Sequence, residues 1–231
     1  LWWNQRVVAP SVMRVLVGAT NQAQMVQPYG IAVGSDHRVY VADTAAHALH
    51  VYRTDRQGYS TLRVDADSLV GVALAGRRIL VTDSVAGQVI CLDMGGRRLW
   101  SLGPRDGFLR PTGIAAAEDR VYVADTLRHR VVIVSLAGKV LGEFGTRGAG
   151  PGQFNYPTNI ARGPDGRMFV TDAMNFRVQV FDADGGFLFA FGQLGDGSGD
   201  FNRPKGVAVD RDGHIYVVEG LHDVVQVFDD R

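Results

Sequence analysis

An all-β chain of repeated, four-stranded antiparallel sheets is predicted by three observations. First, a short step recurs five times: Pro28-Tyr29-Gly30-Ile31-Ala32, Leu69-Val70-Gly71-Val72-Ala73, Pro111-Thr112-Gly113-Ile114-Ala115, Pro157-Thr158-Asn159-Ile160-Ala161 and Pro204-Lys205-Gly206-Val207-Ala208. Second, each step is followed by a turn and an apolar run ending in an acid, at Asp43, Asp83, Asp125, Asp172 and Glu219. Third, the chain holds 29 glycines, and they fall at regular places between the runs, which marks turns rather than disorder.

Taken in order, the recurring step opens a first strand. The second strand is VYVAD, ILVTD, VYVAD, MFVTD and IYVVE in the five copies, alternating or β-branched as strands require. A third run follows as ALHVY, QVICL, RVVIV, RVQVF and VVQVF. A fourth reads LWSLG, KVLGEFG and FLFAFG, and is weak in the first copy, YSTLRV. Asp165-Gly166 and Asp212-Gly213 join first to second strands, and Asp184-Gly185-Gly186 joins third to fourth, as tight hairpins with positive φ prefer. No segment reads as a helix. Four strands in roughly 44 residues, repeated, predict a β-propeller, because one small sheet cannot bury both faces and a ring of sheets can.

The repeats lie near 28–67, 68–110, 111–156, 157–203 and 204–231. With a strand at 13–18 they form one propeller domain, 13–231, after a tail or linker at 1–12 that carries Trp2 and Trp3. The last copy stops after its third strand, at Val227-Phe228-Asp229, and Met13-Arg14-Val15-Leu16-Val17-Gly18 has the pattern of a fourth. Two arrangements follow: a five-bladed ring closed by the N-terminal strand, or a six-bladed propeller lacking one blade.

Composition narrows the function classes. The chain is 46% hydrophobic and 21% charged, ample for a large core. Lys plus Arg (24) equals Asp plus Glu (24), so the basic excess of a strong nucleic-acid binder is missing, although Arg outnumbers Lys and leaves a local basic patch open. The single cysteine, Cys91, excludes an internal disulfide and sits within a strand as a small buried hydrophobe. No run approaches the roughly 18 apolar residues of a membrane span.

The repeat resembles the NHL family: Phe-x-x-Pro-x-Gly-Ile-Ala, then Tyr-Val-x-Asp, then Asn-x-Arg-Val-x-Val-Phe. The fourth copy carries the pattern through Phe154, Pro157, Ile160, Ala161, Val170, Asp172, Asn175, Arg177, Val178, Val180 and Phe181. The third carries it through Pro111, Gly113, Asp125, His129, Arg130 and Val131. The fifth departs with Glu219 for Asp and Val224 for Arg, and the second lacks both the Pro and the Arg. The resemblance implies a bacterial NHL-type propeller, commonly six-bladed, serving as a periplasmic or extracellular sensor or scaffold. Alternatively it implies a metal-dependent lyase or hydrolase of the propeller type, or a single-stranded RNA binder.

Antiparallel topology places the connection entering strand one and the loop after strand two on one face. That face holds 18–28, 103–111, 145–157 and 192–204, with the loops after the five acids. Loops held on a rigid scaffold are where binding residues concentrate. The two long Gly-rich loops are read as compact connections whose Phe154 and Phe201 pack between blades, rather than as phosphate cradles. Each recurring acid, with Arg130 or Arg177 five residues on, is read as a bridge that holds the loop. His47, His129 and His222 occupy nearly equivalent places, but no His-x-x-x-His or cysteine spacing assigns a metal, and no cofactor is assigned. Asp182-Ala183-Asp184-Gly185 and Asp196-Gly197-Ser198-Gly199-Asp200 lack the later Glu of a calcium loop. No catalytic set assembles. What varies between copies defines the expected binding face: Tyr29, Arg110, Thr112, Arg128, His129, Tyr156, Thr158, Asn159, Asn175, Phe176, Arg203, Lys205 and His222. The expected partner is a protein or peptide bound by a monomeric domain.

Overall fold

The computed structural model describes residues 25–56 and 58–229. The expected strand at 13–18 and the tail at 1–12 lie outside the described residues. Five antiparallel sheets follow one another along the chain. Blade 1 is Pro28–Val33, Arg38–Asp43, Ala48–Arg53 and Tyr59–Arg63. Blade 2 is Leu69–Ala75, Arg78–Asp83, Gln88–Asp93 and Arg98–Leu102, and blade 3 is Pro111–Ala116, Arg120–Asp125, Arg130–Ser135 and Val140–Phe144. Blade 4 is Pro157–Arg162, Met168–Asp172, Arg177–Phe181 and Phe187–Phe191. Blade 5 shows three strands among the described residues, Pro204–Val209, Ile215–Glu219 and Val224–Phe228. The weak fourth run of the first copy does form a strand, paired along Ala48–Tyr52. Against the expectation of no helix, three one-turn 3-10 helices occur among the described residues: Pro104–Asp106, Thr126–Arg128 and Ala173–Asn175. They are the tightest way to turn the chain back toward the next strand.

The first strands of consecutive blades touch one another, so they are innermost. That contact explains the recurring glycine. A Cβ on Gly71 would lie 2.4 Å from the Thr112 carbonyl oxygen of the next blade, and one on Gly113 would lie 2.6 Å from Asn159 Cα. The constraint is close backbone approach rather than positive φ. Pairing between first and second strands is irregular just after the recurring Pro or Leu in each blade, so the acid at the end of strand two sits opposite that residue: Pro28 pairs with Asp43, Leu69 with Asp83, Pro111 with Asp125, Pro157 with Asp172 and Pro204 with Glu219. The glycines of the Asp-Gly turns, Gly166, Gly185 and Gly213, adopt φ near +90°.

The cores lie between blades. Tyr40, Leu49 and Val51 of blade 1 pack on Val72, Val81 and Ile90 of blade 2. Leu80, Val89 and buried Cys91 pack on Ile114, Val123 and Val132, and two further clusters join blades 3 to 4 and 4 to 5. Phe154 and Phe201 are fully buried in these seams, the role expected of them. Ring closure is read from the two ends. Ile31 is 62% exposed, whereas its counterparts Val72, Ile114, Ile160 and Val207 are buried. Val225 is 55% exposed, whereas Val89, Val131 and Val178 are fully buried. Among the described residues, nothing covers the leading face of blade 1 or the trailing face of blade 5, and the strand expected to close a five-bladed ring lies outside them.

Candidate functional site

The acid ending each second strand is buried and turned toward backbone. Asp43 accepts from the N–H groups of Val26 (2.7 Å), Gln27 (3.0 Å) and Ala46 (3.0 Å). Asp83 accepts from Asp67 (2.7 Å), Ser68 (3.1 Å) and Ala86 (3.0 Å), and Asp125 from Leu109 (3.2 Å) and Arg110 (2.8 Å). Asp172 accepts from Asn155 at 2.6 Å. Glu219 does the same work in the copy that lacks Asp, accepting from Asn202 (2.9 Å), Arg203 (2.9 Å) and Leu221 (2.8 Å). Asp43, Asp83 and Glu219 thus tie the segment before strand one to the loop after strand two, as Asp172 does through Asn175, and Asp125 holds the segment before strand one. Burial pushes the Asp43 and Glu219 carboxyls up, but these backbone donors outweigh it and hold both below their ordinary values. At Asp172 burial wins, and its carboxyl is raised despite the bonds from Asn155, Asn175 and Arg177.

The arginines complete the tie. Arg177 Nε donates to Asp172 at 3.0 Å, and its Nη2 donates to the carbonyls of Gly150 (2.9 Å) and Gln153 (3.0 Å). Arg130 Nη2 reaches Asp125 at 3.5 Å and the Gly107 carbonyl at 2.7 Å, while Nη1 pairs with Glu143. These groups hold loops.

Sequence reasoning missed a second set of loop holders. Gln179 is fully buried within an apolar strand; its amide donates to the Gln153 carbonyl (2.6 Å) and Asp172 (3.1 Å), and its oxygen accepts from Gly152 N–H (3.0 Å). Gln226 repeats this with Gly199 and Asp200. Blade 1 has His50 at this position, whose Nε2 donates to Asp43 at 3.1 Å. The signal was available: glutamine appears in the two copies that carry the long loops, where blades 2 and 3 have Ile90 and Val132.

Several expected binding residues also have structural partners. Thr112 Oγ1 donates to the Thr158 carbonyl of the next blade at 2.9 Å. Asn159 stands where other copies have glycine, and its Oδ1 accepts from Val207 N–H at 3.4 Å. Asn175 Nδ2 donates to the Gly148 carbonyl and to Asp172, both at 2.8 Å. His129 is buried at φ 53°, and its Nδ1 accepts from Tyr156 N–H at 3.3 Å with the two rings edge to face at 4.9 Å. Phe176 is half-buried at φ 56° and packs in the seam between blades 4 and 5. Thr158 Oγ1 is buried without a hydrogen-bond partner. Tyr29, Arg110, Arg128, Tyr156, Arg203, Lys205 and His222 remain exposed. Of the three aligned histidines, His47 Nδ1 bonds the Ala66 carbonyl at 2.8 Å, and His222 lies 3.5 Å from Asp196. Among the described residues, one group of three potential metal ligands occurs, Asp210, Asp212 and His214, in a hairpin turn on the opposite face. There Asp210 is held down to about 2, as the bonds from His214, Tyr216 and Asp212 outweigh desolvation.

The loop face also exposes apolar residues that the sequence pattern did not single out. Two residues after the acid stand Val85, Leu127, Met174 and Leu221, exposed from 38% (Leu127) to 71% (Val85), with Ala45 at that place in blade 1. Leu109 and Tyr156 are exposed beside them. Backbone contacts join these loops: Thr126 N–H donates to the Arg110 carbonyl (3.0 Å), Thr126 Oγ1 to the Pro157 carbonyl (2.7 Å), and Met174 N–H to the Asn155 carbonyl (3.0 Å). A Cβ on Gly87, in the Val85 loop, would lie 2.9 Å from the Leu109 carbonyl oxygen.

Innermost first strands, seam cores and a loop-rich face define the β-propeller class. The chain is a β-propeller of NHL repeats: NHL repeat profiles match residues 26–52 and 108–134, and a profile described as a 6-bladed beta-propeller matches 161–229. No curated protein sequence matches the chain. Among solved structures, the nidogen/laminin complex is similar at TM-score 0.68 and 19% identity, over 87% of this chain and 75% of that one. Virginiamycin B lyase from Staphylococcus aureus is similar at 0.68 and 17%, over 89% and 71%. A gluconolactonase from Xanthomonas campestris is similar at 0.68 and 20%, over 90% and 74%. At these identities the likeness shows the fold. No helix among the described residues is long and apolar enough to cross a membrane.

Proposed function

We propose that this propeller is a non-catalytic binding module that presents its loop face to a protein or peptide. One observation carries the reading. The buried acids and arginines that would pass for catalytic groups are committed to backbone and to one another, blade after blade. The exposed apolar residues on the same face have no such structural task. A row of exposed apolar side chains costs solubility unless a partner covers it. The nidogen/laminin complex is a propeller-fold precedent for protein binding, and the lyase and lactonase are precedents for enzymes, so the choice rests on this face.

Site-specific photo-crosslinking in an extract of the native source tests it. With a benzophenone amino acid at position 174, a discrete protein adduct is expected. The same group at position 183, in a turn on the opposite face, gives none. Equal adducts from both positions, or a small molecule turned over with loss on removing a bound metal, would contradict the reading.

A further inference from the structure

We propose that the partner segment is acidic and carries spaced apolar side chains, and that it docks across the loop face of blades 3 and 4. The inference rests on the binding reading above and names the chemistry of what is bound. Leu109, Leu127, Tyr156 and Met174 supply the apolar contacts, on loops joined by the backbone bonds already described. Around them stand Arg105, Arg110, Arg128 and Arg147, all exposed, and none has a side-chain hydrogen bond or ion pair among the described residues. Within these same loops of blades 3 and 4, Asp106 is the one exposed acid, and it accepts from Gly103 N–H at 2.9 Å.

On the opposite face four arginines are ion-paired, Arg53 with Asp55 at 2.6 Å, Arg97 with Asp93 at 3.1 Å, Arg120 with Asp119 at 3.0 Å, and Arg167 with Asp165, while Arg56, Arg77 and Arg211 are exposed without such a pair among the described residues and are spread over three separate turns. The loops of blades 3 and 4 thus gather four exposed arginines without side-chain partners among the described residues against one exposed acid. Unpaired cations beside a desolvatable apolar strip complement an acidic, apolar polypeptide and repel a basic one. Single-stranded nucleic acid would meet the same charge, but it binds through stacked aromatic platforms. Tyr156 is the one exposed aromatic of these loops, and its ring is already set against His129.

Fluorescence anisotropy with labelled probes tests the proposal: an alternating Glu-Leu peptide, an alternating Glu-Gly peptide, an alternating Lys-Leu peptide and oligouridylate. Glu-Leu is expected to bind at least about tenfold more tightly than each of the others, and to weaken as salt screens the arginines. The double variant Arg110→Glu/Arg128→Glu and, separately, Leu127→Ser/Met174→Ser should each weaken it about tenfold or more, with circular dichroism and melting unchanged. Arg97→Glu on the opposite face should leave it unaltered. Oligouridylate or Lys-Leu binding as well as Glu-Leu, or Glu-Leu binding no better than Glu-Gly, overturns the proposal. A photo-crosslinked partner at position 174 that ignores Arg110→Glu/Arg128→Glu sinks the acidic partner but leaves the binding reading standing. Absence of any such partner sinks that reading instead.

Discussion

Asp172 shows how a residue that looks catalytic is spent on architecture. It is fully buried, and Asn155, Asn175, Arg177 and Gln179 all donate to it. Asp172→Ala strands a buried guanidinium and several donors, so a loss of about 3 kcal/mol or more is expected in denaturant unfolding. Asp43 and Glu219 give the pH dependence. Both are held below their ordinary values, so the folded chain binds fewer protons than the unfolded chain in the acid range. Their contribution is complete above the unfolded value, about pH 4, and is lost as pH falls below it through the folded one. Asp172 is raised, so it opposes this: its contribution declines as pH rises through its own window. Asp43→Asn should therefore lower stability at neutral pH and flatten the acid limb of a stability–pH profile; an unchanged limb would contradict the assignment. These roles were half legible in the sequence. The recurrence of the acids marked them as scaffold, but backbone N–H groups leave no trace in side-chain identity, so the clamped partners could not be named. Leu127 and Met174 escaped because an apolar residue in a repeat reads as core until its exposure is seen.

At the scale of elements, the strands followed from period, β-branching and turn residues, and the seams followed from sheets that cannot bury both faces alone. What sequence could not give was the distance between neighbouring first strands. Gly113 stood only as a member of the recurring step that opens a first strand, yet it is held by Asn159 Cα of the next blade. Gly113→Ala should cost about 1–3 kcal/mol as the seam is forced apart, read as a lowered melting temperature. The long loop at 145–157 is held from below by Asn175, Arg177 and Gln179. Gln179→Val, which copies the Val132 of blade 3, removes the partner of Gly152 N–H and one of the two donors to the Gln153 carbonyl. It should cost about 1–3 kcal/mol and speed amide exchange at Gly152 well beyond that at the strands. Uniform acceleration across blade 4 would show that the loop is not held locally.

The whole molecule is two-faced. One face gathers ion-paired hairpin turns, and the other gathers loops whose backbone is clamped from below and whose tips are apolar and cationic. That asymmetry was only partly legible: Arg110, Arg128, Arg203 and Lys205 were picked out by variation between copies, but their lack of partners depends on the placement of every acid in the fold. Ring closure was likewise left between two arrangements by counting residues, and the segment that would close a five-bladed ring, 13–18, lies outside the described residues. The account's central claim is that the loop face binds and the recurring polar groups only build it. Hydrogen–deuterium exchange of the protein with and without its crosslinked partner tests this most directly. Protection at residues 109–110, 126–128, 156 and 173–175 is the predicted result. Protection confined to the opposite turns, at 164–166 and 183–186, would contradict it.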